Sequence, residues 1–307
     1  MQEGKCPFAP LPFSHFALMI SEITAKSLLS TVKQPDPWFG LKYNFNLYRG
    51  CQHQCIYCDS RSECYQIENF ADILVKANAI ELLDNELRRK RVKGTIGTGS
   101  MNDPYMPLEA TRNLTGRALE VIAAHGFPVH IITKGTLVLR DLPTLKEISH
   151  AYAAVSFTIT TASDEMGKQL EPGAPKVSER FAALEKLSAA GILTGVTMMP
   201  ILPFIADNEQ NIRGIVEKAA ASGAKYILAA FGVTLRDRQR EYFYRKLDGS
   251  FPGLREKYQR AFGNRYYAPV QNSRHLETLF NELCATYNIA TRMPVYQPHT
   301  AIQPQLF

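Results

Sequence analysis

The chain has 307 residues, of which 45% are hydrophobic and 21% charged, with a formal net charge of +6. That is ample for one large core or for a barrel with appendages. No apolar run reaches the ~18 residues that a membrane-spanning helix needs, so no membrane partner is expected.

The elements are read in chain order. Residues 1–41 form an N-terminal extension. Its apolar run is short and Pro-broken, with no small-residue cleavage site, so it does not read as a signal peptide. The first 18 residues read as loosely organised, and Met19 is a candidate natural start. A strand over 42–48 leads into the run GCQHQCIYC. A helix is expected over 72–91, with Ile73, Ala77, Ile80, Leu83 and Leu87 at three/four spacing. A short strand follows at 95–98. One unit, a helix, a glycine and a hydrophobic strand, then recurs around Gly126, Gly191 and Gly223, and a further strand lies at 153–159. Glycine just past a helix end is the expected cap, and short continuously apolar strands suit a buried parallel sheet. Six strands separated by helices over 42–234 predict an α/β fold, a partial (βα)6 TIM-type barrel, since full eightfold barrels usually need more chain. The remainder, 235–307, reads as a C-terminal helical extension with helices over 236–247, 254–262 and 274–287 and a Pro-broken tail.

The chemistry concentrates at Cys51, Cys55 and Cys58, spaced C-x3-C-x2-C. Iron–sulfur clusters are held by Cys thiolates, four being the usual full set. Three thiolates leave one iron without a protein ligand, and such an open position suits a small molecule. A zinc site would need a fourth ligand, His53 or Cys64, and usually a second ligand pair, which this chain lacks. A disulfide framework does not suit a long, Cys-poor chain, and reduced thiols favour the cytoplasm. A redox C-x2-C leaves Cys51 unexplained.

This spacing, with the aromatic Tyr57 before the last Cys, resembles the radical S-adenosylmethionine (SAM) superfamily. The wider run NLYRGCQHQCIYCDSRSECY looks like the branch related to spore photoproduct lyase. The resemblance spans about residues 37–233 and is strongest over 43–65. It implies a partial barrel, a [4Fe-4S] cluster on Cys51, Cys55 and Cys58, and SAM on the open iron. It further implies an electron donor such as flavodoxin or ferredoxin. Tyr57 stands where the family places an aromatic residue near the adenine end of SAM. The segment GTGSMNDPYMPLE follows the second strand, where the family meets the SAM amino group. It lacks the usual glycine-glycine-glutamate form, and Ser100, Asp103 and Tyr105 are its candidates; Asp103 could also serve as a turn residue before Pro104.

Other candidates come from the later strand ends. Lys134 could face a carboxylate, Ser156 and Thr158 could meet the ribose or substrate, and Arg180 can bind a carboxylate bidentately. Pro200 opens a segment, MPILPFIADN, that resembles the family stretch packed under adenine. Spore photoproduct lyases carry a cysteine after the second strand that returns a hydrogen atom to the product radical. Residues 97–104 contain none, so Cys64 or Tyr105 is the candidate donor here.

Basic residues cluster at Arg88, Arg89, Lys90, Arg91 and Lys93, and again at Arg236, Arg238, Arg240, Arg245 and Lys246. Positive surfaces attract polyanions, although cations also complement the end of a helix. The chain ends Gln303-Pro304-Gln305-Leu306-Phe307, which resembles the peptide by which bacterial replication and repair proteins dock on the sliding clamp. The first reading is therefore a lyase-like radical SAM enzyme acting on a nucleic acid, in DNA repair or modification. The others are a radical SAM enzyme modifying a protein or small molecule, and a non-catalytic iron–sulfur or zinc protein.

Overall fold

The computed structural model describes residues 19–34 and 36–298. The proposed clamp peptide lies outside these residues. In chain order, β1 (Ile20–Ile23), β2 (Ser30–Thr31), β3 (Tyr43–Asn44) and β4 (Tyr48–Arg49) precede the Cys loop. Then come β5 (Ile73–Lys76), α1 (Ala79–Arg88), β6 (Ile96–Thr98), α2 (Glu109–Arg112), α3 (Leu114–Ala124) and β7 (Val129–Thr133). The second half of the barrel holds α4 (Leu142–Ser149), β8 (Ala153–Thr158), α5 (Asp164–Leu170), α6 (Val177–Ala189), β9 (Leu193–Met198), α7 (Glu209–Ala221) and β10 (Tyr226–Ala229). The extension consists of β11 (Gly232–Thr234), α8 (Asp237–Ser250), α9 (Leu254–Phe262), β12 (Tyr267–Pro269) and α10 (Ser273–Thr286).

Six parallel strands, β3, β6, β7, β8, β9 and β10, are neighbours in that order, and β2 joins β3 antiparallel at one edge. The sheet does not close, so the fold is the partial barrel expected from the alternation. β8 is buried on both faces along its whole length, which is why it carries no alternating pattern. The edge of β10 is covered: Ile227 N–H donates to Ala290 (2.9 Å) and Ala290 N–H to Lys225 (3.0 Å), so the chain after α10 takes the place of a further strand. Helices α3, α6 and α7 stop at Gly126, Gly191 and Gly223, each with positive φ, the left-handed cap that glycine adopts without strain.

Two expectations change. The helix expected over 72–91 is a strand followed by a helix. Ile73 and Val75 point inward while Leu74 and Lys76 are half-exposed, and β5 is the middle of a three-stranded sheet between β1 and β4. Ile73 and Ala77 fit a helical spacing equally well; pairing with the N-terminal β1 decides the matter. The strand expected over 42–48 is two short ones, β3 in the barrel and β4 in this small sheet. The three C-terminal helices form where expected. The β11–β12 pairing, a separate two-stranded sheet, was not foreseen.

A second core lies between barrel and extension. Ile56, Tyr57, Leu202, Val233, Phe243, Tyr244, Tyr258 and Phe262 bury one another there. Tyr258 meets Phe243 and Phe204 edge to face, at ring separations of 5.3 and 5.4 Å. Its hydroxyl is satisfied by the Pro203 carbonyl at 2.7 Å.

Candidate active site

The Cys loop starts directly after β4 and is held from three sides. Inside it, the Gln54 side chain donates to the Cys51 carbonyl (2.5 Å) and Cys58 N–H to the Cys55 carbonyl (3.3 Å). From the barrel, Ile56 N–H donates to Leu170 (2.9 Å) and Gly173 N–H to His53 (3.0 Å). A Cβ on Gly173 would fall 2.1 Å from the Gln52 carbonyl oxygen, so only glycine permits this approach. From the extension, the start of α8 stitches the far side. Asp237 accepts from Ser62 (2.8 Å), Gln239 donates to the Tyr57 carbonyl (3.2 Å), and Arg238 donates to the Arg61 (2.9 Å) and Ile67 (2.5 Å) carbonyls.

Cys51 and Cys55 are buried and Cys58 is partly exposed. Burial pushes all three thiols up, Cys55 to about 12, with the Lys134 ammonium pulling Cys55 the other way. Such thiols become ligands only when a metal's positive charge replaces the lost water. Among the described residues no three His, Cys, Asp or Glu side chains converge on one metal ion. The two residues considered as a fourth zinc ligand are engaged elsewhere. His53 Nδ1 lies 3.2 Å from Asp103. Cys64 is exposed, its sulfur accepting from Ser62 and Arg236 at 3.3 Å.

All three thiols line a cavity of about 430 Å³. The other walls come from the carboxyl ends of the parallel strands: Ser100 and Asp103 after β6, Thr133 and Lys134 at β7, Thr158 at β8, Met199 and Pro200 after β9, and Ala230 after β10. Reactive groups of parallel α/β folds gather at that end. Tyr57 forms another wall, and Thr234 and Tyr267 of the extension complete the mouth. The volume suits one ligand of small-molecule size.

Of the residues singled out from the sequence, Tyr57, Ser100, Asp103, Lys134, Thr158 and Pro200 line the same cavity as the three cysteines. Asp103 is buried, which alone would raise its pKa. His53, the Thr133 hydroxyl (2.5 Å) and the Lys134 amide (2.6 Å) more than offset this and hold it far below the usual carboxylate range. Lys134 is held protonated: burial opposes its charge, but Cys55 and Glu171 favour it more. Ser100 accepts from Asn44 at 2.9 Å.

Four candidates lie elsewhere. Arg180 is 1% exposed. It binds the carboxylate of Glu171 at 2.5 Å and the carbonyls of Thr158 and Pro175, so its carboxylate partner is internal. Ser156 is fully buried one layer below the cavity, between His130 (2.8 Å) and the Tyr226 hydroxyl (2.6 Å). Tyr105 is buried with its hydroxyl on Asp141 at 2.9 Å, and Cys64 points to the outer surface; neither lines the cavity. Neither therefore reaches a cavity-bound substrate as hydrogen donor in this conformation.

Sequence reasoning missed Glu171, which links the Tyr57 hydroxyl, Arg180 and, at 3.9 Å, Lys134. Its place before Pro172-Gly173 reads as a turn, and only Arg180 nine residues on signals a buried pair. Tyr267 was missed because the β11–β12 pairing that brings it to the mouth is non-local.

The basic clusters divide. Arg238 and Arg240 spend their donors on backbone carbonyls, and Arg236 pairs with Asp59 at 3.0 Å. Arg88, Arg89, Arg91 and Lys93 are exposed, but they lie between α1 and β6, at the end of the barrel opposite the cavity. No helix among the described residues is long and apolar enough to cross a membrane.

A family model described as the radical SAM superfamily matches residues 45–219. An uncharacterised protein of Mycobacterium tuberculosis is 30% identical over 277 residues, covering 88% of this chain and 81% of its own. A radical SAM Nα-GlyT isomerase of Pseudomonas phage M6 is 25% identical over 181 residues, 59% of this chain and 37% of that protein. Among solved structures, a variant of spore photoproduct lyase with bound AdoMet and dinucleoside spore photoproduct superposes with a TM-score of 0.66. Its identity is 16%, with 88% of this chain and 79% of that chain covered.

Proposed function

The chain belongs to the radical SAM superfamily, and on that premise we propose that it reductively cleaves SAM and directs the resulting radical at a nucleic acid, as a lyase-like repair or modification enzyme. Cys51, Cys55 and Cys58 would hold a [4Fe-4S] cluster, and the cavity beside them would hold SAM. When bound and reduced, the cluster would supply the one electron that reductive cleavage of SAM requires. The single observation that carries the reading is that three thiols, two of them buried, open onto one ligand-sized cavity at the carboxyl ends of the strands.

The chain's own groups then divide the work. Lys134 places a fixed positive charge in the wall, suited to a carboxylate. Asp103, anchored by His53 and Thr133, offers a fixed negative charge to an ammonium. Tyr57 stacks in a wall that Glu171 and Arg180 hold from behind. The second core excludes water from the loop.

On this reading SAM would take up most of a cavity of this size. The substrate therefore presents one group at the mouth, near Thr234 and Tyr267, as an extruded or single-stranded base can. The dinucleoside bound by a protein of the same fold supports a nucleic acid. A protein or small-molecule substrate is favoured by one observation, that Arg238 and Arg240 are consumed by backbone carbonyls rather than free for phosphate.

The test is anaerobic. Reconstituted protein with dithionite and SAM should form 5′-deoxyadenosine, and Cys55→Ala should reduce it at least a hundredfold. DNA, RNA and a cell-metabolite extract are added in separate arms. Stimulation by DNA or RNA that fades with salt, as phosphate contacts require, supports the nucleic-acid reading; stimulation by metabolites alone defeats it. Absence of 5′-deoxyadenosine from iron-loaded protein defeats the enzyme reading altogether.

A further inference from the structure

Arg61 follows the third cysteine by three residues and is 8% exposed. Its guanidinium is clamped between two rings, 3.5 Å from the centroid of Tyr242 and 4.6 Å from that of Phe70. One nitrogen donates to the Gln54 side-chain oxygen at 2.6 Å, and the Gln54 amide nitrogen donates on to the Cys51 carbonyl at 2.5 Å. The backbone N–H of Arg61 donates to the Cys58 carbonyl at 3.3 Å. One residue thus ties both ends of the Cys loop together. Gln54 can serve as the link because its backbone adopts a left-handed conformation, φ 53°.

Among the described residues the charge of Arg61 is not matched by an acid. Its Nε is buried with no partner. Burial works against its charge. A buried cation without a counter-charge is costly. A cluster held by three thiolates brings negative charge to this loop, and net charge and exposure are what set a cluster's potential.

We propose that Arg61 is a positioning residue of the iron–sulfur site, bracing the Cys51–Cys58 loop through Gln54 and holding an unmatched buried charge that makes the cluster easier to reduce. The step concerned is the transfer of one electron from a low-potential one-electron donor to the cluster. The donor is oxidised, the cluster gains one negative charge, and no proton or bond changes place. A fixed cation stabilises the reduced form more than the oxidised form. The phenol of Tyr242 and the ring of Phe70 keep water, which would screen that charge, away from the guanidinium. This inference rests on the cluster reading above.

Iron and sulfide per chain are measured first, in wild type and in Arg61→Gln, after anaerobic reconstitution. A wild type that takes up neither removes the cluster reading itself, before Arg61 is at issue. The midpoint potential is then read by electron paramagnetic resonance during a mediated dithionite titration. At matched loading, Arg61→Gln should shift the potential to more negative values by about 59 mV, a tenfold loss in the one-electron reduction equilibrium. Arg61→Lys, which keeps the charge, should recover most of that shift. Equal potentials in wild type and Arg61→Gln overturn the proposal. Should Arg61→Gln fail to hold iron, Tyr242→Leu keeps the cation and opens its cover to water. A smaller negative shift in that variant supports the proposal, and an unchanged potential overturns it.

Discussion

Glu171 shows how much one buried carboxylate can organise. It is 1% exposed and lies behind the cavity wall, where it receives the Tyr57 hydroxyl and the Arg180 guanidinium. Burial alone would raise its pKa, but Arg180, Lys134 and Tyr57 hold it below the usual value. Replacing it by glutamine keeps the volume and strands the Arg180 cation, 1% exposed, without a counter-charge. Removing one partner of a buried pair typically costs ~3–5 kcal/mol. Urea denaturation of Glu171→Gln should show a loss of that size, partly recovered in the double variant Glu171→Gln/Arg180→Gln. A loss below 1 kcal/mol in the single variant would mean that the pair is hydrated in solution. A sequence reader sees a glutamate in a turn and an arginine opening a helix; only the fold joins them.

At the scale of elements, legibility followed locality. The helix–glycine–strand units around Gly126, Gly191 and Gly223 were readable because each is punctuated within its own few residues. β5 was misread because its partner, β1, lies some fifty residues upstream in a segment with no strong pattern of its own. The Cys loop was readable as a motif, but not its clamp, residues 170–173. Gly173→Ala tests that clamp. The added methyl meets the Gln52 carbonyl at 2.1 Å, so loop and segment must part. Overpacking of this kind costs ~1–3 kcal/mol. The variant should keep the barrel's circular dichroism yet hold less iron per chain after reconstitution. Full loading would show that the loop tolerates displacement from residues 170–173.

Across the whole molecule, charge proved the least legible property. A net charge of +6 suggested a polyanion surface. The fold turns Arg238 and Arg240 inward to cap carbonyls, keeps Arg245 and Lys246 exposed on α8, and places the Arg88–Lys93 run at the far end of the barrel. Solvent exposure of a long basic side chain is set by tertiary contacts that composition does not encode. The barrel interior carries a second hidden charge effect. Burial pushes His130 down to about 3, and its Nδ1 has no partner to hold a proton. The unfolded chain takes up that proton below its ordinary value of ~6.5, while the folded chain stays neutral, so this group's contribution to stability is intact above pH ~6.5 and falls as pH drops toward 3. Each pH unit in that window removes up to ~1.4 kcal/mol. In His130→Gln the loss of unfolding free energy between pH 7.5 and 5 should shrink by about 2 kcal/mol. An identical loss in both proteins would place the acid sensitivity elsewhere.

The stitching of α8 onto the Cys loop sets an order of assembly. While the ribosome has released only the barrel, the thiols stand without Gln239, Arg238 and the aromatic lid of α8 and α9. Their final surroundings come into being only once the last quarter of the polypeptide has emerged. On the function proposed above, lasting metal insertion would be a late event, and a prematurely terminated chain would carry the three cysteines without the groups of α8 that enclose them.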